Sequence, residues 1–179
     1  KNQFFHFIFI IFEFLIIMEN LLSKARPIEF HRLKLAKKAE LTKTTFALEF
    51  EITDELSTKY QFEAGQYVTL QFIASGNVVQ KDFSMTSAPH EGKISLGIKI
   101  NSEESVANSL FKNLKVGDAV EVSEPRGRFT LISKPHEFRT IVGFAGEIGI
   151  TPMLGHFKNI LNYEPRTSLF LFYGKRSKK

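Results

Sequence analysis

The chain has 179 residues, 43% of them hydrophobic and 24% charged, a globular balance that excludes a disordered chain and allows one large or two small domains. Its net charge of +5 and pI near 9.4 argue only weakly for a nucleic-acid or membrane partner, because much of the excess sits in Lys37-Lys38 and in the closing Lys175-Arg176-Ser177-Lys178-Lys179. With no cysteine, the chain holds no disulfide, no thiol nucleophile and no thiolate-bound iron-sulfur cluster.

Residues 4–17 are apolar except for His6 and Glu13, and this run is shorter than the roughly 20 residues a bilayer-spanning helix needs. Lys1 and Ser23-Lys24-Ala25 only half supply a secretory signal, while Met18-Glu19-Asn20 opens the first polar stretch. Three identities stay open for residues 1–17: translated upstream sequence outside the natural protein, a membrane or interfacial segment, or a packed helix. Residues 1–28 are set aside as an N-terminal segment and linker, and a cytoplasmic location is expected.

From Phe30 onward, short strands are predicted. Phe46, Leu48, Phe50 and Ile52 alternate with polar or small residues, as do Val68, Leu70 and Phe72, and then Ile94, Leu96, Ile98 and Ile100. Ala64-Gly65, Ser75-Gly76-Asn77, His90-Glu91-Gly92 and Gly117-Asp118 punctuate them as turns. With a further strand over 119–123, about six antiparallel strands at this spacing fit a small closed barrel. Between them, Ser102 is the expected cap of a helix running to about Leu114, with Glu103 and Glu104 in its first turn.

The stretch Lys81-Asp82-Phe83-Ser84-Met85-Thr86-Ser87-Ala88-Pro89 reads as a strand entering a hydroxyl-rich turn. Alternation puts Lys81 and Phe83 on one face, a cation beside an aromatic plane, with a Ser84 hydroxyl at hand. That set suits a ligand with a phosphate and a flat heteroaromatic ring. On spacing alone, ordinary burial preferences favour an amphipathic strand with a core aromatic and a solvated lysine.

Residues 133–137 form a polar, proline-containing linker. After it, 139–145 reads as a buried strand, 146–150 as a tight turn, and Thr151-Pro152 as a cap with proline at the first helical position. Met153, Leu154, Phe157, Ile160 and Leu161 mark one helical face, and 169–173 reads as a second buried strand. This is a βαβ unit, whose glycine-bearing first turn is where such folds hold a dinucleotide pyrophosphate, although such a turn alone is more often a packing device. The histidines at 6, 31, 90, 136 and 156 lack metal-ligand spacing, so no metal residues are assigned.

Lys81-Asp82-Phe83-Ser84 with Thr86-Ser87-Ala88-Pro89 resembles the Arg-x-Tyr-Ser flavin motif of ferredoxin-NADP reductase-like flavoproteins, and Gly149-Ile150-Thr151-Pro152 resembles the opening of their pyridine-nucleotide domain. Phe30-His31-Arg32-Leu33-Lys34-Leu35, Ala64-Gly65-Gln66-Tyr67-Val68-Thr69-Leu70 and Gly127-Arg128-Phe129-Thr130-Leu131 are similar to the oxygenase-reductase branch, such as the reductases of phenylacetyl-CoA epoxidation in phenylacetate catabolism. The likeness covers about residues 29–177.

The resemblance implies an all-β, six-stranded antiparallel FAD-binding barrel over 29–132. It is followed by the truncated start of an α/β Rossmann-like NAD(P)-binding domain over 138–179. The chain is thereby expected to be a fragment, inactive by itself.

Implied roles follow residue by residue. Ser84 is the catalytic residue beside flavin N5, Phe83 stacks on the ring, Lys81 holds phosphate, and Asp82 and Lys99 join the cofactor-binding set. Ala107 and Asn108 stand at the helix start that receives the pyrophosphate, Ala107 replacing the usual serine. Gly146, Gly149 and Thr151 form the nicotinamide turn, and Arg176 and Ser177 meet the adenosine ribose or its phosphate. Glu147 departs from the glycine often found in the family.

The implied activity passes electrons from NADH or NADPH through FAD to an iron-sulfur centre or an oxygenase partner. Any [2Fe-2S] cluster lies in a part of the protein not present in this chain. FMN in place of FAD, a ferric-siderophore reductase, a dehydrogenase electron-transfer subunit, a membrane-anchored accessory protein and a non-enzymatic basic barrel remain alternatives. No nucleic-acid partner is expected.

Overall fold

The computed structural model describes residues 27–74 and 76–175. The readings made for residues 1–26, Arg176 and Ser177 lie outside the described residues. Six strands, β1 (Phe30–Thr42), β2 (Thr45–Glu51), β3 (Tyr67–Ala74), β4 (Asn77–Ser84), β5 (Ile94–Lys99) and β6 (Ala119–Ser123), form one antiparallel sheet in the order β4-β3-β6-β1-β2-β5.

The alternation seen in the sequence is what bends this sheet around a core. Phe46, Leu48 and Phe50 on β2 stand opposite Ile98, Leu96 and Ile94 on β5, all of them buried. Directly opposed residues of an antiparallel pair share a face, so each pair adds two apolar side chains to the same interior. The two outer strands meet where Met85 bridges Leu96 and the Thr86 amide donates to the Ser95 carbonyl at 2.8 Å. The ring therefore closes just beyond the end of β4, and the body of β4 remains a sheet edge.

Helix α1 (Val106–Asn113) packs Ala107 and Phe111 against that core, Phe111 lying 4.9 Å from the Phe46 ring centroid. It starts later than expected. Ser105, not Ser102, is the cap, its Oγ accepting from the Asn108 amide at 3.2 Å, while Ser102 supplies a carbonyl to the preceding turn. Glu103 and Glu104 thus precede the helix. At the other end, Lys38 donates to the Phe111 carbonyl and, at 2.9 Å, to the Leu114 carbonyl, where a cation offsets the helix dipole.

Beyond residue 138, β7 (Arg139–Gly146), α2 (Ile150–Tyr163) and β8 (Thr167–Gly174) form a parallel βαβ unit. A bidentate Arg139–Glu164 pair, at 2.7 to 2.9 Å, ties the start of β7 to the end of α2, and Thr167 Oγ1 adds a third donor at 2.8 Å.

Two expectations need correction here. The strands are not buried: Phe144 is 73% and Phe172 60% exposed, the two rings stacked 5.0 Å apart, because α2 covers only one face of the pair. Nor does α2 bury one stripe. Met153 and Phe157 meet β7 at Gly143, while Thr151, Gly155 and His156 are buried on a second face turned toward the barrel; Leu154 and Leu161 are exposed.

Candidate functional site

β4 presents its side chains on two faces. Phe83 stands opposite Val68 and Lys81 opposite Leu70, both partners fully buried, so the expected shared face exists and is the inner one. Phe83 is half-buried against the core while Lys81 is exposed. Ser84, opposite Tyr67, and Asp82, opposite Thr69, turn to the outer face.

Asp82 is consequently separated from Lys81 and Phe83 and already engaged. It accepts from Thr69 Oγ1 at 2.6 Å and lies 4.0 Å from Arg126, whose guanidinium also donates to Thr69 Oγ1 and sits 5.4 Å from the Tyr67 ring. This Tyr67-Thr69-Arg126 group went unrecognised in the sequence. Nothing local in the sequence says that the stretch after β6 folds back so that Arg126 bridges Tyr67.

Ala107 and Asn108 open α1. The Asn108 side chain is buried and donates to the Glu103 carbonyl at 2.6 Å, so it holds the approach to the helix rather than facing outward as a free donor. The chain leading into α1 is thereby braced from both sides, by Asn108 and by Ser105.

The second cluster lies between β5 and the start of α2. Lys99, last in β5, forms an ion pair with Glu147, which opens the single 3-10 turn Glu147–Gly149 ahead of α2. Gly146 ends β7 and Gly149 precedes α2, both with open space around them. Thr151 is not the cap: it lies inside the helix, which Gly149 opens, and its hydroxyl donates back to the Ile148 carbonyl at 3.0 Å. Its methyl is pressed toward the barrel, 3.0 Å from where a β-carbon on Gly97 would stand, a point that the Thr86 methyl approaches to 3.5 Å. Thr86 is two residues past Ser84, so the head of α2 abuts the turn that follows β4.

Further contacts hold α2 there. Gly155 sits so close to the Ser87 carbonyl that a β-carbon would lie 3.0 Å from it, and Lys158 pairs with Glu91 at 3.1 Å. His156, 3% exposed, shares a 2.9 Å hydrogen bond with the Phe129 carbonyl. Burial pushes its imidazole below the ordinary value of 6.5, against the opposing effect of that bond. Glu29, His31 and Glu124 also come together, but the Lys59 ammonium sits among them, 2.9 Å from Glu29 and 3.4 Å from both others, as their counter-charge.

An aromatic ring, an ammonium and a hydroxyl along one sheet edge, with a capped helix beside the same core, make a set of groups able to hold a flat heteroaromatic with a phosphate tail. Comparison with known proteins agrees. Residues 32–131 match the oxidoreductase FAD-binding domain family, and that span is more than half of the chain.

The chain belongs to that family.

It is 27% identical over 148 residues to a component of the 1,2-phenylacetyl-CoA epoxidase of Escherichia coli (strain K12), covering 83% of this chain and 42% of that protein. To NADH-cytochrome b5 reductase 1 of Candida glabrata it is 30% identical over 149 residues, covering 82% and 51% respectively. Among solved structures, phthalate dioxygenase reductase superposes with a TM-score of 0.68 at 28% identity, over 83% of this chain and 44% of that one. This chain thus spans about half of the length of these relatives or less. The fold is that of the ferredoxin-NADP reductase-like flavoproteins, a six-stranded antiparallel FAD-binding barrel followed by the start of a nucleotide-binding unit.

Proposed function

We propose that this chain is the flavin-binding part of a reductase that draws electrons from NADH or NADPH and passes them to an iron-sulfur centre or an oxygenase partner. The barrel spans 29–132 and the nucleotide-binding unit begins at 138. The observation that carries this reading is the docking of the head of α2 onto Gly97 and Thr86, which brings Thr151 beside the turn following Ser84.

FAD supplies the hydride-accepting ring and the one-electron chemistry. The chain's own residues do the positioning. Phe83 offers a flat apolar surface on the inner side of the β4 edge, Lys81 a cation for phosphate, and Ser84 a hydroxyl on the other side of the same edge. Lysine is a point charge where arginine would offer a planar fork, so phosphate is held by Coulomb attraction with little directional demand. Thr151, pinned by Gly97 and by its own bond to Ile148, gives the nicotinamide a rigid wall. The E. coli epoxidase component and the reductase component of a Rhodococcus rhodochrous 3-ketosteroid-9-alpha-monooxygenase both belong to oxygenase systems, which supports an oxygenase-type acceptor.

The test is a fluorescence titration of the apo-protein with FAD and with FMN. Saturable binding is expected, with FAD the tighter ligand. Folded protein that shows no saturable change with either flavin refutes the reading.

A further inference from the structure

Glu147 is the only non-glycine residue among the described residues with a positive φ, at 52°. Side chains other than glycine are disfavoured in that left-handed region, and such a residue persists where its surroundings hold it in place. One of the groups that engage Glu147 is Lys99. Their ion pair runs from the last residue of β5 to the turn that leads into α2, and the two side chains are 32% and 30% exposed.

Two residues before Lys99, Gly97 receives the Thr151 methyl, and Thr151 lies four residues after Glu147. The seam between β5 and the head of α2 is therefore closed at one point by the methyl contact and at another by the ion pair. The amide dipoles of α2 point their positive end at this seam, and the Glu147 carboxylate already stands there.

We propose that the Lys99–Glu147 pair is a built-in competitor for the phosphates of a pyridine dinucleotide: binding requires Lys99 to exchange the carboxylate for phosphate and Glu147 to swing away. The proposal rests on the nucleotide reading above and adds the residue that limits its affinity. An anion approaching the helix head meets the Glu147 charge at short range, while the nearby cation is already engaged. An ammonium suits such an exchange, since a flexible point charge can change partners without a fixed geometry. Glycine at 147 would remove both the charge and the strained backbone.

The experiment titrates the whole chain with NADH and with NADPH, following nucleotide fluorescence, in the wild type, Glu147→Gln, Glu147→Gly, Lys99→Gln and the Lys99→Gln/Glu147→Gln double variant, each shown to be folded by circular dichroism. Glu147→Gln is expected to bind about tenfold tighter than the wild type, a difference of about 1.4 kcal/mol. Glu147→Gly should be at least as tight. The double variant should fall back below Glu147→Gln, because Lys99 is then no longer there to take the phosphate. Wild type and Glu147→Gln binding equally, or Glu147→Gln binding more weakly, overturns the competitor and leaves the nucleotide reading intact. Absence of binding in every variant, Glu147→Gly included, overturns both.

Discussion

Gly65 is the position at which a single methyl group tests the junction between the barrel and α2. Its φ is +91°, and a methyl there would stand 2.0 Å from the Phe129 carbonyl oxygen and 2.2 Å from His156 Nε2. Neither distance is tolerable, so the 2.9 Å bond between those two groups cannot survive Gly65→Ala. The left-handed backbone costs an alanine roughly 1–2 kcal/mol. Leaving one buried partner of the broken hydrogen bond unsatisfied adds roughly 1–3 kcal/mol. Together these make roughly 2–5 kcal/mol, a large share of the 5–15 kcal/mol by which domains are typically stable. Gly117 supplies the control: its φ is +97°, yet nothing lies within 4 Å of the added methyl. Gly117→Ala should therefore show only the backbone cost, roughly 1–2 kcal/mol. Urea denaturation of the two variants against the wild type measures the difference, and amide exchange should show α2 losing protection in Gly65→Ala while the barrel strands keep theirs. Losses that agree within about 0.5 kcal/mol, the usual additivity error, would refute the contact between Gly65, His156 and Phe129.

Phe83→Ala should weaken FAD binding by about 1–3 kcal/mol, by analogy with the loss of stacking on an aromatic platform, as read by flavin fluorescence. Lys81→Glu should weaken it at low salt and Lys81→Arg should leave it unchanged or tighter; if neither alters affinity at low ionic strength, Lys81 is a solvated strand residue only. Burial raises the Glu164 carboxyl, but the bonds from Arg139 and Thr167 outweigh it and hold it below the ordinary 4.5. Its stabilising contribution is therefore complete above pH 4.5 and lost as pH falls through the lower folded value, a slope in urea midpoint that Glu164→Gln should abolish. His156 acts in a separate window: the unfolded imidazole takes up a proton below pH 6.5 that the buried site resists, so stability should decline as pH drops from 6.5. A His156→Gln variant whose stability keeps the same slope between about pH 6.5 and 5 would remove that assignment.

Much of the architecture is legible in local pattern. Phe46, Leu48 and Phe50 alternate because successive strand side chains point to opposite faces, so period-two spacing states which residues are interior before any partner is known. The same logic put Lys81 and Phe83 on one face, and the switch to helical spacing after Thr151 marked the βαβ unit. Motif order in the chain was enough to indicate the flavoprotein family.

What the pattern could not say is which face meets what. Asp82 is adjacent to Lys81 in sequence, yet it turns outward to Thr69 and Arg126 because β3 fixes the register of β4. The buried stripe of α2 was misjudged because small and polar residues, Thr151, Gly155 and His156, form its second contact face, and close backbone approach rather than apolar bulk is what that face requires. The helix caps shifted for a related reason: the turns that precede the helices decide where each begins, so that Ser105 rather than Ser102 caps α1, and α2 starts at Gly149 with no side-chain cap. Lys99 and Glu147 are 48 residues apart, and His156 and Phe129 are 27 apart. Side-chain type and spacing act over a few residues, whereas these pairings exist only once ring closure between β4 and β5 has placed Gly97 and the turn after Ser84 where α2 can dock. The strands and the family were thus written in the sequence, and the junction that makes two units into one site was decided by the packing between them.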